Sequence, residues 1–226
     1  MKSKNVVLMI ASIFALVFVL GFISAAVAFT GVSGNTTTLE YSTSPQIVTI
    51  SFSAQDVDTI LDTYSVTGIT FAPMPLTLTS GSNTLTSAST IIGDISPGPL
   101  ATGTTSNQMS LTFTIPASQT LGNYIGTLTL SGIENSFLVT SSLQVQIKIQ
   151  DTTKPVITIT GNSLEYVALG STYTDAGATA TDNYSPTIVV TSVSTVNTLV
   201  AGTYSVIYSA QDSNGNIATP ITRTVI

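Results

Sequence analysis

Asp212-x-Asn214-x-Asn216 sets three oxygen donors at alternate positions, the spacing of many calcium loops, and Asp175 and Asp182 are acids that could reach the same end of a β domain. Carboxylate and carbonyl oxygens suit a hard cation. The same residue types, however, are those that a metal-free hairpin turn demands, and no glutamate stands in range to bind an ion through both oxygens. The turn reading is preferred, so no metal ligand and no cofactor is assigned.

Asp56, Asp58 and Asp62 form the other close group of acids, and carboxylate-pair catalysis is the route left open to a chain with no His and no Cys. That composition excludes imidazole bases, thiolate nucleophiles and most transition-metal sites, and a serine triad would lack its base. The three aspartates fall in a polar turn, where Asp commonly closes an Asx-turn. No catalytic residue is assigned, and the chain is expected not to be an enzyme. Five basic residues against eleven acidic ones give a net charge of −6 with no basic cluster, so nucleic acid is not an expected partner. Trp is absent. Tyr124, Tyr204 and Tyr208 fall at strand positions and read as packing residues. Tyr41, Tyr173 and Tyr184 are candidates for exposure but do not align as a sugar platform. Asn35-Thr36-Thr37 and Asn183-Tyr184-Ser185 fit the N-glycosylation pattern, which makes Asn35 and Asn183 candidate modification sites.

The elements that must carry these residues are β-strands. Ser and Thr make up about 30% of the chain, while charged residues make up 7% against a usual value of about 25%. The hydroxyl residues alternate with Val, Ile, Leu and Tyr, the pattern of half-buried strands. Strands are expected over 37–41, 47–52, 62–66, 69–71, 76–79, 83–92, 109–115, 124–130 and 137–149, with a helix-like turn over 56–61. Turns are expected at Pro73-Met74-Pro75 and over 93–99. This spacing argues for an all-β sandwich over 29–150. Without cysteine, its stability cannot rest on disulfides.

Lys2 and Lys4 precede an apolar segment over 6–23, and Ala26-Val27-Ala28 follows as a small-x-small cleavage pattern. Residues 1–28 therefore read as a signal peptide. At about 18 residues the segment also meets the lower limit for a spanning helix, so retention as a membrane anchor is the alternative. Either way the rest of the chain is expected to be extracellular or at the cell surface, touching a membrane only through an uncleaved N-terminal segment.

Asp151-Thr152-Thr153-Lys154-Pro155 reads as the boundary to a second domain over 151–226. Within it, the β-rich runs 202–210 and 217–225 flank Asn214-Gly215, which predicts a hairpin closed by a type I′ turn with positive φ at both central residues. Three blocks resemble the prokaryotic immunoglobulin-like domain of bacterial and archaeal surface proteins and pesticidal crystal proteins. They are Asp151-Thr-Thr-Lys-Pro-Val-Ile-Thr-Ile-Thr-Gly161, Val167-Ala-Leu-Gly-Ser-Thr-Tyr-Thr-Asp-Ala-Gly-Ala-Thr-Ala-Thr-Asp-Asn183, and Ala201-Gly-Thr-Tyr-Ser-Val-Ile-Tyr-Ser-Ala-Gln-Asp-Ser-Asn-Gly-Asn216. Tyr184-Ser185-Pro186 stands where the family usually has a short acidic, glycine-bearing turn. Residues 113–130 are similar to the last strands of surface β-sandwich modules. The resemblance implies a seven-stranded sandwich serving as a spacer or adhesive module, without catalysis.

The expected protein is thus all-β, two immunoglobulin-like β-sandwich domains in tandem after an N-terminal hydrophobic signal segment. Its expected role is that of a non-catalytic cell-surface or secreted structural or adhesion protein, with other envelope proteins or copies of itself as partners. Two alternatives stand beside it. One is a filament subunit assembled by β-strand donation, with 29–39 as a free arm and 219–226 ending uncapped. The other is an accessory binding module of an exported enzyme system.

Overall fold

A computed structural model describes residues 27–56, 65–88, 91, 100–101, 105–106, 108–134 and 136–226. The expected leader as far as residue 26, the helix-like turn beyond Asp56, the aspartates Asp58 and Asp62, and the turn over 93–99 lie outside these residues. Every regular element among the described residues is a strand. Backbone contacts divide the chain into two units. The second takes Leu39–Ser44, Ala117–Leu121 and Ile149–Ile226, and the first the remaining described residues.

In the first unit a three-stranded sheet has the order β1 (Val27–Ser33), β3 (Gln46–Asp56), β8 (Met109–Ile115). A larger sheet runs β2 (Thr36–Glu40), β10 (Phe137–Gln150), β9 (Gly122–Glu134), β4 (Ser65–Ala72), β7 (Leu100–Ala101), with β5 (Thr77–Ser80) beside β9 and β6 (Asn83–Thr86) beside β5. Sequence alternation decides the faces. Along β8, Met109, Leu111, Phe113 and Ile115 are buried while Ser110, Thr112 and Thr114 turn outward. Phe113 lies opposite Val48 and Leu111 opposite Ile50 across the β3–β8 ladder, so both strands face their apolar side to one core. Tyr124, Leu128 and Leu130 of β9 and Val145 and Ile147 of β10 are also fully buried.

Gly126 marks a close approach of two strands in this unit. A Cβ there would lie 2.7 Å from the Leu78 side chain and 2.8 Å from the Thr77 carbonyl, so only glycine lets β5 cross β9 so closely.

Several expectations are corrected. The expected free arm over 29–39 is paired in place: Val27–Thr30 form a ladder with Ser53–Asp56, and β2 pairs with β10. Asp56 is no turn residue; it ends β3, opposite Val27, and is fully buried. Of the predicted strand over 83–92, β6 takes in 83–86; Ser87 then bridges to Phe113 while its side chain accepts the Leu76 amide proton at 2.9 Å and donates to the Ala88 carbonyl at 2.8 Å, and residues 89, 90 and 92 lie outside the described residues.

The second unit holds β11 (Val156–Ile159) paired with β13 (Ala178–Thr181), and a four-stranded sheet. That sheet has the order β12 (Leu164–Glu165), β16 (Ile221–Val225), β15 (Tyr204–Ala210), β14 (Val190–Ser194). Six strands stand in place of the seven that the resemblance implies. The expected hairpin is present, with β15 and β16 antiparallel and Tyr208 opposite Ile221. Its closure differs from a type I′ turn: Gly215 has a φ of 91°, but Asn214 does not enter the left-handed region. Past the turn Ile217 bridges to Gln211 and the Ala218 amide donates to the Ala210 carbonyl at 3.0 Å, and the regular ladder begins at Ile221, beyond Pro220, which has no proton to donate. The core is small, gathered from Ile157, Val206, Tyr208, Ala210, Ala218 and Val225.

Candidate functional site

Three loops of the second unit bring acids together. Asp151 follows β10, Asp182 follows β13 and Asp212 follows β15, and one carboxylate oxygen from each lies within 4.8 Å of the other two. Asp151 and Asp212 are buried, at 6% and 8% exposure.

Asp212 builds the loop that carries it. Its Oδ1 accepts the amide protons of Asn214 and Asn216 at 2.8 Å each, and its Oδ2 accepts the Asn216 side-chain amide at 2.8 Å. This Asx geometry replaces the predicted two-residue turn, since the carboxylate folds five residues around itself. Burial pushes the Asp212 carboxyl up, but the Asn216 and Asn214 donors outweigh it and hold it below its ordinary value. Asp182 closes a second Asx turn through Oδ2, which accepts from the amides of Tyr184 at 3.0 Å and Ser185 at 3.1 Å. A hydroxyl pair, Ser185 Oγ with Ser213 Oγ at 2.9 Å, ties the two loops together.

Asp151 is held from three sides. Its Oδ1 accepts from the Thr153 amide at 3.1 Å, and its backbone carbonyl accepts from the Asn216 side chain at 3.2 Å. Glu40 grips the next two residues: Oε1 accepts the amides of Thr152 at 2.7 Å and Thr153 at 3.2 Å, and Oε2 accepts the Thr152 hydroxyl at 2.7 Å. These bonds hold Glu40 below its ordinary value against the opposing effect of burial. Asp151 moves the other way, raised by burial and by the neighbouring charges of Asp182, Asp212 and Glu40. Two oxygens of the cluster, Asp151 Oδ2 and Asp182 Oδ1, are buried and accept no hydrogen bond.

Asp175, grouped by the sequence with Asp182 and Asp212, lies outside this cluster, while Asn214 belongs to the Asp212 loop. Asn214 Oδ1 accepts from the Ser213 hydroxyl at 3.2 Å. Asp175 precedes β13 and Asp182 follows it, so a four-residue strand, roughly 13 Å of extended chain, separates them. Asp175 instead pairs with Arg223 of β16, whose side chain is fully buried. The same Asp175 oxygen accepts the hydroxyls of Tyr208 at 2.7 Å and Tyr173 at 3.0 Å. Arg223 also donates to the carbonyls of Thr160, Asn162 at 2.9 Å and Gly177 at 3.3 Å, and lies 5.6 Å from the Tyr208 ring centre. Burial opposes ionisation of Asp175, yet the two tyrosines and Arg223 hold its carboxyl below the ordinary range. Burial and the Asp175 charge push Tyr208 up. Tyr173, a candidate for exposure, is thus half-buried in this network.

The expected acceptors differ in setting. Asn35, in the bend between β1 and β2, donates its side-chain amide to the Gln144 carbonyl at 3.3 Å, and the Thr37 hydroxyl bonds the Gly34 carbonyl at 2.9 Å. Asn183 is exposed, but Ser185 of its motif is buried. Tyr41 and Tyr184 stack edge to face with centres 4.8 Å apart, as a pair and not as a platform.

Asp151, Glu40 and Arg223 are not singled out by the sequence as site residues. Asp151 had a local signal, an acid four residues before proline at the mouth of a strand. Arg223 had one too, as the single charged residue in the final apolar alternation. Glu40 had none, because its partners lie more than a hundred positions away.

Residues 157–226 match the family model described as "Bacterial surface protein, Ig-like domain", in agreement with the resemblance read from the three sequence blocks. No curated protein matches the chain. Among solved structures, the fibronectin(III)-like modules of Clostridium thermocellum CbhA are 16% identical, with 88% of this chain and 93% of that one covered and a TM-score of 0.30. The PapD-like domain 7 of human CEP192 is 12% identical over 63% of this chain and 98% of its own, with a TM-score of 0.33. The CooA pilin subunit of enterotoxigenic Escherichia coli is 14% identical over 56% and 98%, with a TM-score of 0.30.

Proposed function

We propose that this chain is a non-catalytic structural protein of the cell surface or secreted space, acting as a stalk, wall component or adhesin. The observation that carries this reading is the match of residues 157–226 to a bacterial surface immunoglobulin-like domain. The fate of the polar groups in that unit supports it. Glu40, Asp175 and Arg223 all serve the protein's own loops and strands, and one oxygen of Asp175 takes one guanidinium and two phenols. Its partners, on this reading, are other envelope proteins or further copies of the chain. Protease treatment of intact native cells tests the proposal: the protein should be digested without lysis. Recovery of the whole chain from the cytoplasm would sink it.

A filament subunit assembled by β-strand donation is a second reading, with one open edge in its favour. The four-stranded sheet of the second unit ends at β14, where Val193 is 69% exposed. Negative-stain microscopy of the native preparation decides between them, since dispersed single particles at high concentration exclude the filament. The remaining reading, an accessory module of an exported enzyme system, predicts co-purification with a hydrolase. Turnover by this chain alone on a panel of glycan and peptide substrates would overturn the non-catalytic assignment.

A further inference from the structure

We propose that Asp151, Asp182 and Asp212 bind one calcium ion. Turn chemistry accounts for both Asp212 oxygens and for one oxygen each of Asp151 and Asp182, all of which accept protons from their own loops. It leaves Asp151 Oδ2 and Asp182 Oδ1, both buried and without a donor, the former on a residue only 6% exposed. Uncompensated carboxylate oxygens are not retained in a protein interior without a counter-charge. Among the described residues the ion pairs of the second unit use Arg223, with Asp175 and Glu165, and none reaches this cluster.

A proton is the simplest counter-charge, but one proton shared between Asp151 and Asp182 neutralises a single charge of three. A divalent cation neutralises two and takes an oxygen from every member. The donor set is all carboxylate, which selects a hard ion over zinc or copper. Calcium bonds oxygen at about 2.3–2.6 Å, so opposite ligands of one ion stand roughly 4.6–5.2 Å apart, and oxygens within 4.8 Å of one another meet that requirement. Magnesium keeps several waters and an octahedral shell, a poorer match to two buried carboxylates on separate loops.

The test uses the full chain, stripped with EDTA and exchanged into chelator-free buffer at neutral pH. Isothermal titration with calcium chloride should give one site per chain, and calcium at a hundredfold excess over Kd should raise the melting temperature of the second unit by roughly 10 °C. The double variant Asp151→Asn/Asp182→Asn keeps the loop acceptors, because an Asn carbonyl still receives the Thr153, Tyr184 and Ser185 amides. It should fold, show no heat of calcium binding and lose the thermal shift. Magnesium at equal concentration should give less than a tenth of the calcium affinity. Three results overturn the proposal: no calcium binding at millimolar concentration, binding that survives in the folded double variant, or equal affinity for magnesium.

Discussion

The first unit is held by hydrocarbon and the second by charge. Phe52, Phe113, Leu111, Ile50, Leu128 and Tyr124 are sealed in the first unit, each supplied by an alternating strand. The second unit gathers six residues into its buried core, of which only Tyr208 is large, and the largest side chain it fully encloses is that of Arg223. The difference shows how a module with little apolar volume can still specify one structure. Its loops are fixed by carboxylates that each accept several bonds, and its strands by one arginine that reaches three carbonyls and an acid.

Truncating a large side chain should break the first unit hardest. Phe113→Ala is expected to cost about 3–5 kcal/mol, read as a loss of protection of β3 and β8 amides in hydrogen exchange, while the amides of β15 and β16 keep theirs. A cost below about 1 kcal/mol would show that the apolar core is not what holds this unit.

The matching break in the second unit is Asp175→Ala, expected to cost about 3 kcal/mol by leaving the buried Arg223 with only Glu165, at 3.9 Å, as an acid partner. This sits at the lower end for a buried pair because the Asp175 side chain is 25% exposed. Acidification should mimic it. Asp175 has a depressed carboxyl pKa, so the stability it contributes is complete above the ordinary carboxylate value and drains away as pH falls through the lowered one. Tyr173, Tyr208 and Arg223 stay protonated throughout that window. The Asp175→Ala variant should therefore lose less stability between pH 5 and pH 2 than the native chain, and equal slopes in denaturant titrations at those pH values would refute the assignment.

Gly126→Ala sharpens the contrast from the other side. The added methyl meets Leu78 and the Thr77 backbone, and the strain should cost about 1–3 kcal/mol in the first unit alone. The smallest effect belongs to the outward face of the same unit: Ile47→Thr, at a position 71% exposed, should change stability by no more than about 0.5 kcal/mol in urea unfolding.

Much of the fold was legible because the period of two is written plainly in β3, β8, β9 and β10, where Thr and Ser alternate with large apolar residues. Less legible were places where a side chain overrides that period. Just after β6, the Ser87 side chain captures a backbone amide, and Asp212 draws a five-residue loop around one carboxylate where Asn214-Gly215 predicts a two-residue turn. The acid cluster was half legible. Asp182 and Asp212 were grouped correctly, but Asp175 was included with them because spacing alone does not say which end of a four-residue strand an acid occupies. Asp151 reads locally as linker, and only tertiary contact gives it company.

Glu40 carries one further consequence. It belongs to a strand laid down early in the chain, yet its two oxygens clasp the backbone of Thr152 and Thr153. A fragment cut to begin at Asp151 would leave that clasp behind, together with the Tyr41 ring that stacks on Tyr184. In this molecule the seam that a protein engineer would choose from the sequence is not where the chain can be parted without unfastening what lies beyond it.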